Sequence, residues 1–343
     1  MLKNIVHGAL LKAERFAGRF SRNRSKTRHV DPYIGYATPT HFVARGRVLS
    51  RRRTAPARPG QSRLANLRGM ISLFMTDEAA GAEVRSEHGR TVTDEEGYFQ
   101  LTFPKTTQTG WIERAVTVEG AEAPASCPIC VPRADAQYLV ISDIDDTVLR
   151  TRAYALWRNL ITSFTGNVLT RRIFPDAVRL MQRLSRSGQN PIFYVSSSPW
   201  NMHAFLDDIF TRADLERGPM FLRDLGLSET KFITEGHGNH KGQSIDRILQ
   251  ANPNLPVVLI GDTGQEDATI YREAADRHPD RIAAIVLRHA DPDPGPRELA
   301  NLERLQRLPL PAFVAARFDE IEERLLQELA KVEIKAPVGL VSV

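Results

Sequence analysis

Residues Tyr138 to Thr147 read Tyr-Leu-Val-Ile-Ser-Asp-Ile-Asp-Asp-Thr, an apolar run that ends in the carboxylates of Asp143, Asp145 and Asp146. A strand sends successive side chains to opposite faces, but where it curls into a loop two acids spaced two apart can both reach one reacting atom. One can attack a phosphorus while the other handles protons, so the pair points to phosphoryl transfer. A carboxylate attacks a phosphomonoester only if a cation offsets the repulsion between the two anions, which calls for Mg²⁺. The second carboxyl must at times hold a proton, and a crowded, desolvated acidic site favours this by raising its pKa. The same residues also read as an acidic loop after a core strand, and an Asp-x-Asp alone does not decide between the two readings.

Three later segments bear on that choice. Pro191 to Asn201 is again an apolar strand, ending in Ser196, Ser197 and Ser198, with Pro199 suited to the first turn of a helix. Amides at such a helix start, with the Ser196 hydroxyl, can hold phosphoryl oxygens, although serines there also serve as ordinary N-caps. His240 to Ile245 opens an amphipathic helix and puts Lys241 where its ammonium can neutralise a nucleophile and a transferring group; a lone lysine there otherwise reads as a solvated charge. Leu255 to Asp267 gives a third strand ending in acids, with Asp262 as the main metal ligand, Asp267 in support and Glu266 as a solvated alternative.

Nucleophile pair, hydroxyl, lysine and metal acids, met in that order, resemble the haloacid dehalogenase superfamily of phosphohydrolases. More narrowly, Asp143-Ile144-Asp145-Asp146-Thr147, Ser197-Ser198-Pro199-Trp200 and the run from Gly261 to Tyr271 resemble the catalytic domain of the actin-patch-protein type of phosphatidate phosphatase, over roughly residues 31–290. The resemblance implies Mg²⁺-dependent conversion of phosphatidic acid to diacylglycerol and phosphate. It implies that Asp143 forms an aspartyl-phosphate and that Asp145 protonates the leaving alkoxide and then activates water. Ser196 would bind a phosphoryl oxygen and Lys241 would stabilise charge. Asp143, Asp262 and the backbone carbonyl of Asp145 would surround Mg²⁺, with Asp267 behind them. Ser197 competes with Ser196 for its role; Ser196 is preferred because it follows the apolar strand directly. Arg288, at another strand end, reads either as a phosphate or headgroup contact or as a surface arginine.

The elements that must position these residues follow from length and pattern. At 343 residues with 42% hydrophobic content, the chain has room for two globular domains. We expect a basic amphipathic segment at 1–30, a small all-β sandwich domain at 31–134, an α/β catalytic domain at 135–330 and a tail at 331–343. Strands are expected at Phe42 to Leu49, Met70 to Met75, Ala82 to Ser86, Arg90 to Thr93, Tyr98 to Phe103, Trp111 to Val118 and Ala125 to Pro132. The run Thr93 to Leu101 is similar to the hairpin of transthyretin-like sandwiches, which makes Asp94 and Glu95 turn residues, and Thr54 to Ser62 reads as a connection.

From Tyr138 on, strands at Tyr138 to Ser142, Ile192 to Ser196, Lys231 to Thr234, Val257 to Gly261 and Ile282 to Leu287 alternate with helical patterns. That alternation predicts a haloacid dehalogenase-like, doubly wound parallel sheet whose strand ends share one edge. Helices around Tyr154 to Phe164 and Pro175 to Leu184 leave room for only a minimal cap. A site without a lid admits a headgroup still attached to a large body, so the expected substrate is phosphatidate or another large phosphomonoester. A non-catalytic phosphatidate-binding scaffold is the competing reading, against which the presence of both Asp143 and Asp145 argues, because binding needs no acid–base carboxyl.

Residues 1–60 hold fourteen Lys or Arg against Glu14 and Asp31, a net +12, and the total of +5 leaves −7 for the rest. Leu2, Ile5, Val6, Ala9, Ala13, Phe16, Ala17 and Phe20 recur at helical spacing within that basic segment. Such a helix can rest on an anionic membrane or pack on the catalytic domain, and both readings stand. No recognition motif accompanies the charge, so nucleic acid is not expected as a partner. No apolar stretch reaches bilayer length and no secretory signal is read, so the expected place is the cytoplasm, at or near a membrane surface. Cys127 and Cys130 are expected to be structural thiols on the last strand before the catalytic domain. Phe318, Ile321, Leu325, Leu329 and Val332 form the apolar stripe of a helix packed on the core.

Overall fold

Long apolar runs that end in polar residues fold into a parallel sheet in the second half of the chain, and shorter alternating runs fold into a mostly antiparallel sheet in the first half. The computed structural model describes residues 27–50, 78–150, 173–223, 240–264, 266–289 and 295–332. The expected strands Met70 to Met75 and Lys231 to Thr234, the helix Tyr154 to Phe164, the connection Thr54 to Ser62, nearly all of the basic segment and nearly all of the tail lie outside those residues.

The first sheet comprises β1 (His29–Ala37), β2 (His41–Leu49), β3 (Glu83–Ser86), β4 (Gly89–Val92), β5 (Tyr98–Pro104), β6 (Gly110–Val118) and β7 (Ala125–Val131). Its order is β4-β3-β6-β7-β1-β2-β5, antiparallel except for the β1–β7 pair, and it curls until β4 lies beside β5. Inside the curl, Phe42, Ala44, Leu101, Phe103, Ile112, Val116, Cys127 and Ile129 form one core. Both thiols are free and buried, and burial pushes each up to about 12, as inert structural cysteines require. Asp94 is a turn residue as expected: its Oδ1 accepts from the amides of Glu96 and Tyr98.

β1 has no counterpart among the expected strands. Asp31, Pro32 and Gly35 punctuate it, and its pairing with β2 slips between Tyr33 and Tyr36. Gly35 is there because a Cβ would stand 2.0 Å from the Val43 carbonyl oxygen, so any side chain would force the strands apart.

The second sheet is built from β8 (Leu139–Asp143), β9 (Ile192–Pro199), β10 (Met220–Arg223), β11 (Val257–Asp262), β12 (Ile282–Arg288) and β13 (Ala312–Ala315), all parallel, in the order β10-β9-β8-β11-β12-β13. Helices α1 (Pro175–Ser185), α2 (His203–Arg212) and α6 (Glu322–Leu329) cover one face. Helices α3 (His240–Ala251), α4 (Asp267–Arg277) and α5 (Pro296–Gln306) cover the other. Strand side chains alternate between the two cores: Val140, Val258 and Val286 point one way, Ile141, Leu259 and Ile285 the other. The C-terminal stripe packs as expected, with Phe318, Leu325 and Leu329 in the first of these cores and Glu322 paired to Arg183.

The strand order reverses between β8 and β11, so the crevice at their carboxyl ends is the topological switch point, where open α/β sheets bind ligands. Asp143 closes β8 and Asp262 closes β11. The front sheet is docked on this domain: Tyr36 and Val43 join the core formed by Phe193, Phe221 and α3, and the Tyr33 ring stacks on Trp200 at 5.5 Å.

Candidate active site

Asp143 reaches the crevice because β8 ends there, and the residues after it turn back at once. The amides of Val148 and Leu149 donate to the Ile144 carbonyl, and Asp146 takes a left-handed conformation (φ 57°) that aspartate tolerates better than most residues. This tight loop returns Thr147 to the strand end, where its hydroxyl donates to Asp143 Oδ2 at 3.2 Å. Arg288 at the end of β12 fixes the loop from behind. Its Nε donates to the Thr147 carbonyl at 3.1 Å and its Nη2 to Asp176 Oδ2 at 2.9 Å. The guanidinium lies 4.1 Å from the ring centres of both Phe174 and Phe318. Arg288 is thus buried and engaged within the protein, neither a surface arginine nor an open anion contact.

Asp145 stands beside the strand end of β9. Ser196 donates to Asp145 Oδ2 at 2.7 Å and Ser198 donates to the same oxygen at 3.1 Å, while Ser197 points to solvent. The amide of Ser198 in turn donates to Ser196 Oγ at 2.9 Å. Of the serine run, the first and third members therefore meet the acid, in keeping with a strand that still alternates at its end. Burial raises the Asp145 pKa, against the lowering effect of Ser196, Lys241 and Ser198.

Lys241, in the first turn of α3, is buried, with Nζ 2.7 Å from Asp143 Oδ1 and 2.6 Å from Asp267 Oδ1. Burial opposes its charge, but Asp143 and Asp267 outweigh burial and raise its pKa, so the ammonium persists. Asp143 is itself pushed well up by burial, with Asp267, Asp145 and Asp262 adding repulsion and Lys241 opposing. Asp267 opens α4, and its Oδ2 accepts from the Asp262 amide at 3.3 Å. Gly261 makes this approach possible: a Cβ there would lie 2.5 Å from Asp267 Oδ2 and 2.9 Å from the Tyr271 hydroxyl.

One carboxylate oxygen from each of Asp143, Asp262 and Asp267 falls within 4.8 Å of the others, all three residues buried. Three buried carboxylates stand here beside one buried ammonium, Lys241, among the described residues, and a divalent cation is the chemistry this donor set fits. Mg²⁺ takes a few carboxylates and completes its shell with water and phosphate oxygens, so a cluster of three acids at a crevice suits it.

All six side chains singled out in the sequence lie along this one edge: Asp143, Asp145, Ser196, Lys241, Asp262 and Asp267. Thr147, Ser198, Gly261 and Tyr271 also shape the site and were not assigned roles from sequence. The Tyr271 hydroxyl donates to the Ile260 carbonyl at 2.8 Å and stays protonated, because burial first and then the three acids raise its pKa. Its spacing of four from Asp267 on one helix is the signal that could have marked it.

Comparison with known proteins converges on the same segment. The family model described as "Phosphatidate phosphatase APP1, catalytic domain" matches residues 138–289. An uncharacterized protein of Schizosaccharomyces pombe is 28% identical over 232 residues, 64% of this chain and 37% of its own length. Phosphatidate phosphatase APP1 of Saccharomyces cerevisiae is 28% identical over 149 residues, 43% of this chain and 25% of its own length. The chain thus spans little more than a third, at most, of the relatives it matches. Among solved structures, a carbohydrate acetylesterase from Xanthomonas citri aligns at TM-score 0.31 with 10% identity, covering 89% of this chain and 75% of that one, too low for a shared fold. The matched stretch runs from the start of β8 to just beyond β12 and holds every acid, hydroxyl and ammonium of the crevice, so the segment that carries the site is the one that matches the APP1-type phosphatidate phosphatase catalytic domain.

Proposed function

We propose that this chain is a Mg²⁺-dependent phosphatidate phosphatase that works through an aspartyl-phosphate on Asp143, on a haloacid dehalogenase-like fold. The observation that carries the reading is the buried contact of Lys241 with Asp143 and Asp267, beside an Asp145 held by two serine hydroxyls. The doubly wound order with an Asp-x-Asp at its switch point supports the fold assignment.

In the first step the Asp143 carboxylate bonds to phosphorus while the bond from phosphorus to the glycerol oxygen breaks. The departing alkoxide takes the proton of the Asp145 carboxyl, which burial helps to keep protonated. Diacylglycerol leaves. In the second step a water attacks phosphorus and gives its proton to the Asp145 carboxylate, the bond from phosphorus to Asp143 breaks, and inorganic phosphate departs. Lys241 offsets charge at Asp143 as the anion approaches. Ser196 orients Asp145 and can turn its hydrogen to a phosphoryl oxygen when substrate arrives. Bound Mg²⁺, held by Asp143, Asp262, Asp267 and the Asp145 carbonyl, would supply the positive charge that lets two anions meet. No helix among the described residues is long and apolar enough to cross a membrane, and we place the protein in the cytoplasm, at an anionic membrane surface when it acts.

Phosphate release from phosphatidate micelles with Mg²⁺ tests the reading. We expect turnover by the native protein, none above background for Asp143→Asn, and a loss of ~10²–10⁴-fold for Asp145→Asn. Full turnover by either variant refutes the mechanism, and an inactive native protein points to a binding scaffold instead.

A further inference from the structure

A cleft of about 530 Å³ lies between the front sheet and the parallel sheet, separate from the acid cluster. Arg45 and Tyr98 line it from β2 and β5, Trp200 and Arg223 from the ends of β9 and β10, and His240 and Arg247 from α3. It adjoins the acid site in sequence on two elements, since Trp200 follows Ser198 by two residues and His240 precedes Lys241.

Arg45 sets the chemistry of this cleft. It is 8% exposed, its Nη2 donates to the Ile34 carbonyl at 2.6 Å, and its Nε is buried without an acceptor. Its guanidinium lies over Phe221, Tyr36 and Trp200 at 4.7, 5.2 and 5.4 Å. Two residues along the same strand, the buried Arg47 meets Glu78 at 2.6 Å, which is how a buried guanidinium is normally balanced. No carboxylate within salt-bridge distance of Arg45 occurs among the described residues. Arg247 is near enough to add repulsion, and burial with that repulsion lowers the Arg45 pKa to about 10. Asp94 is the one carboxylate among the described lining residues, and its Oδ1 is taken by the two turn amides. A buried arginine with a spare donor, two further arginines at the walls and polar neighbours in an open cleft make a donor set suited to an anion.

We propose that this interdomain cleft binds a phosphate group, with Arg45 as the buried anchor and Arg247 and Arg223 closing on it from the catalytic domain. The phosphate can be free inorganic phosphate or the headgroup of a lipid. Either way the front sheet contributes directly to ligand binding, and the inference does not depend on hydrolysis at Asp143.

Calorimetric titration of the full chain in EDTA tests this, because without a divalent cation the acid cluster repels anions and leaves the cleft to report. The probes are inorganic phosphate and dioctanoyl phosphatidate below its micelle concentration. We expect one equivalent bound by the native protein, at least tenfold weaker binding by Arg247→Glu, whose side chain is exposed and whose melting temperature should be unchanged, and none by Arg45→Met. Equal affinity for both probes identifies free phosphate as the ligand, and preference for the lipid identifies a headgroup. No saturable binding by the native protein, or unchanged binding by Arg247→Glu, overturns the proposal, even where phosphatidate turnover is normal. Binding without turnover leaves it standing and removes the hydrolytic reading instead.

Discussion

Replacing Lys241 with methionine takes away the ammonium that holds Asp143 and Asp267 together, and leaves buried carboxylates facing one another. Removing one partner of a buried ion pair costs about 3–5 kcal/mol, more than the modest gain from an apolar side chain of similar size. We therefore expect Lys241→Met to melt well below the native protein in EDTA, and to recover part of the loss when Mg²⁺ is added, since a cation that binds only the folded state stabilises it. Equal melting temperatures in EDTA would mean the contact carries no such weight. At this scale the acids were legible because they follow apolar runs, a position that few solvated charges share, and the lysine because it opens an amphipathic helix. The serines were less so. Three in a row carry no periodicity of their own, and only the geometry of the strand end turns Ser196 and Ser198 toward Asp145 and Ser197 away. Arg288 was ambiguous in sequence because its partner Asp176 is 112 residues away.

At the level of elements, the approach of α4 to β11 depends on Gly261. Alanine there would set a methyl group against Asp267 Oδ2 and the Tyr271 ring, and neither can retreat without leaving Lys241 and the Asp262 amide or the Ile260 carbonyl. Overpacking of this kind costs ~1–3 kcal/mol. We expect Gly261→Ala to fold with a lowered melting temperature and to need a higher Mg²⁺ concentration for half-maximal stabilisation, read by thermal denaturation across a Mg²⁺ series. An unchanged Mg²⁺ midpoint would show that Asp267 does not bear on the metal. The strands β8, β9, β11 and β12 were legible as apolar runs of the right length, even though burial on both faces hides their alternation. β10 and β13 were not, since each is only four residues long and Pro309 and Pro311 precede the second. β1 escaped for the opposite reason: it is nine residues long but broken by proline, glycine and a bulge.

On the scale of the molecule, the two sheets share packing. Tyr36 and Val43 lie in the core that includes Ile141, Leu259 and Tyr271, and Tyr33 stacks on Trp200 and His203. Domains joined by an apolar interface of this kind unfold together, so we expect one cooperative thermal transition, with matching midpoints by near-UV dichroism and calorimetry. Two resolved transitions would mean that the front sheet is an independent unit. Nothing in the sequence alone announced this docking, because Tyr33, Tyr36 and Val43 read equally well as residues of the front sheet's own core.

The mechanism turns on which atom first bonds to phosphorus. Acid quenching of the protein during turnover of phosphatidate carrying a radioactive phosphate, followed by peptide mapping, reads this directly. We predict label on Asp143, absent from Asp143→Asn and forming more slowly in Asp145→Asn, where an amide cannot protonate the leaving alkoxide. Label on any other residue, or brisk turnover with Asp143 replaced, would contradict it.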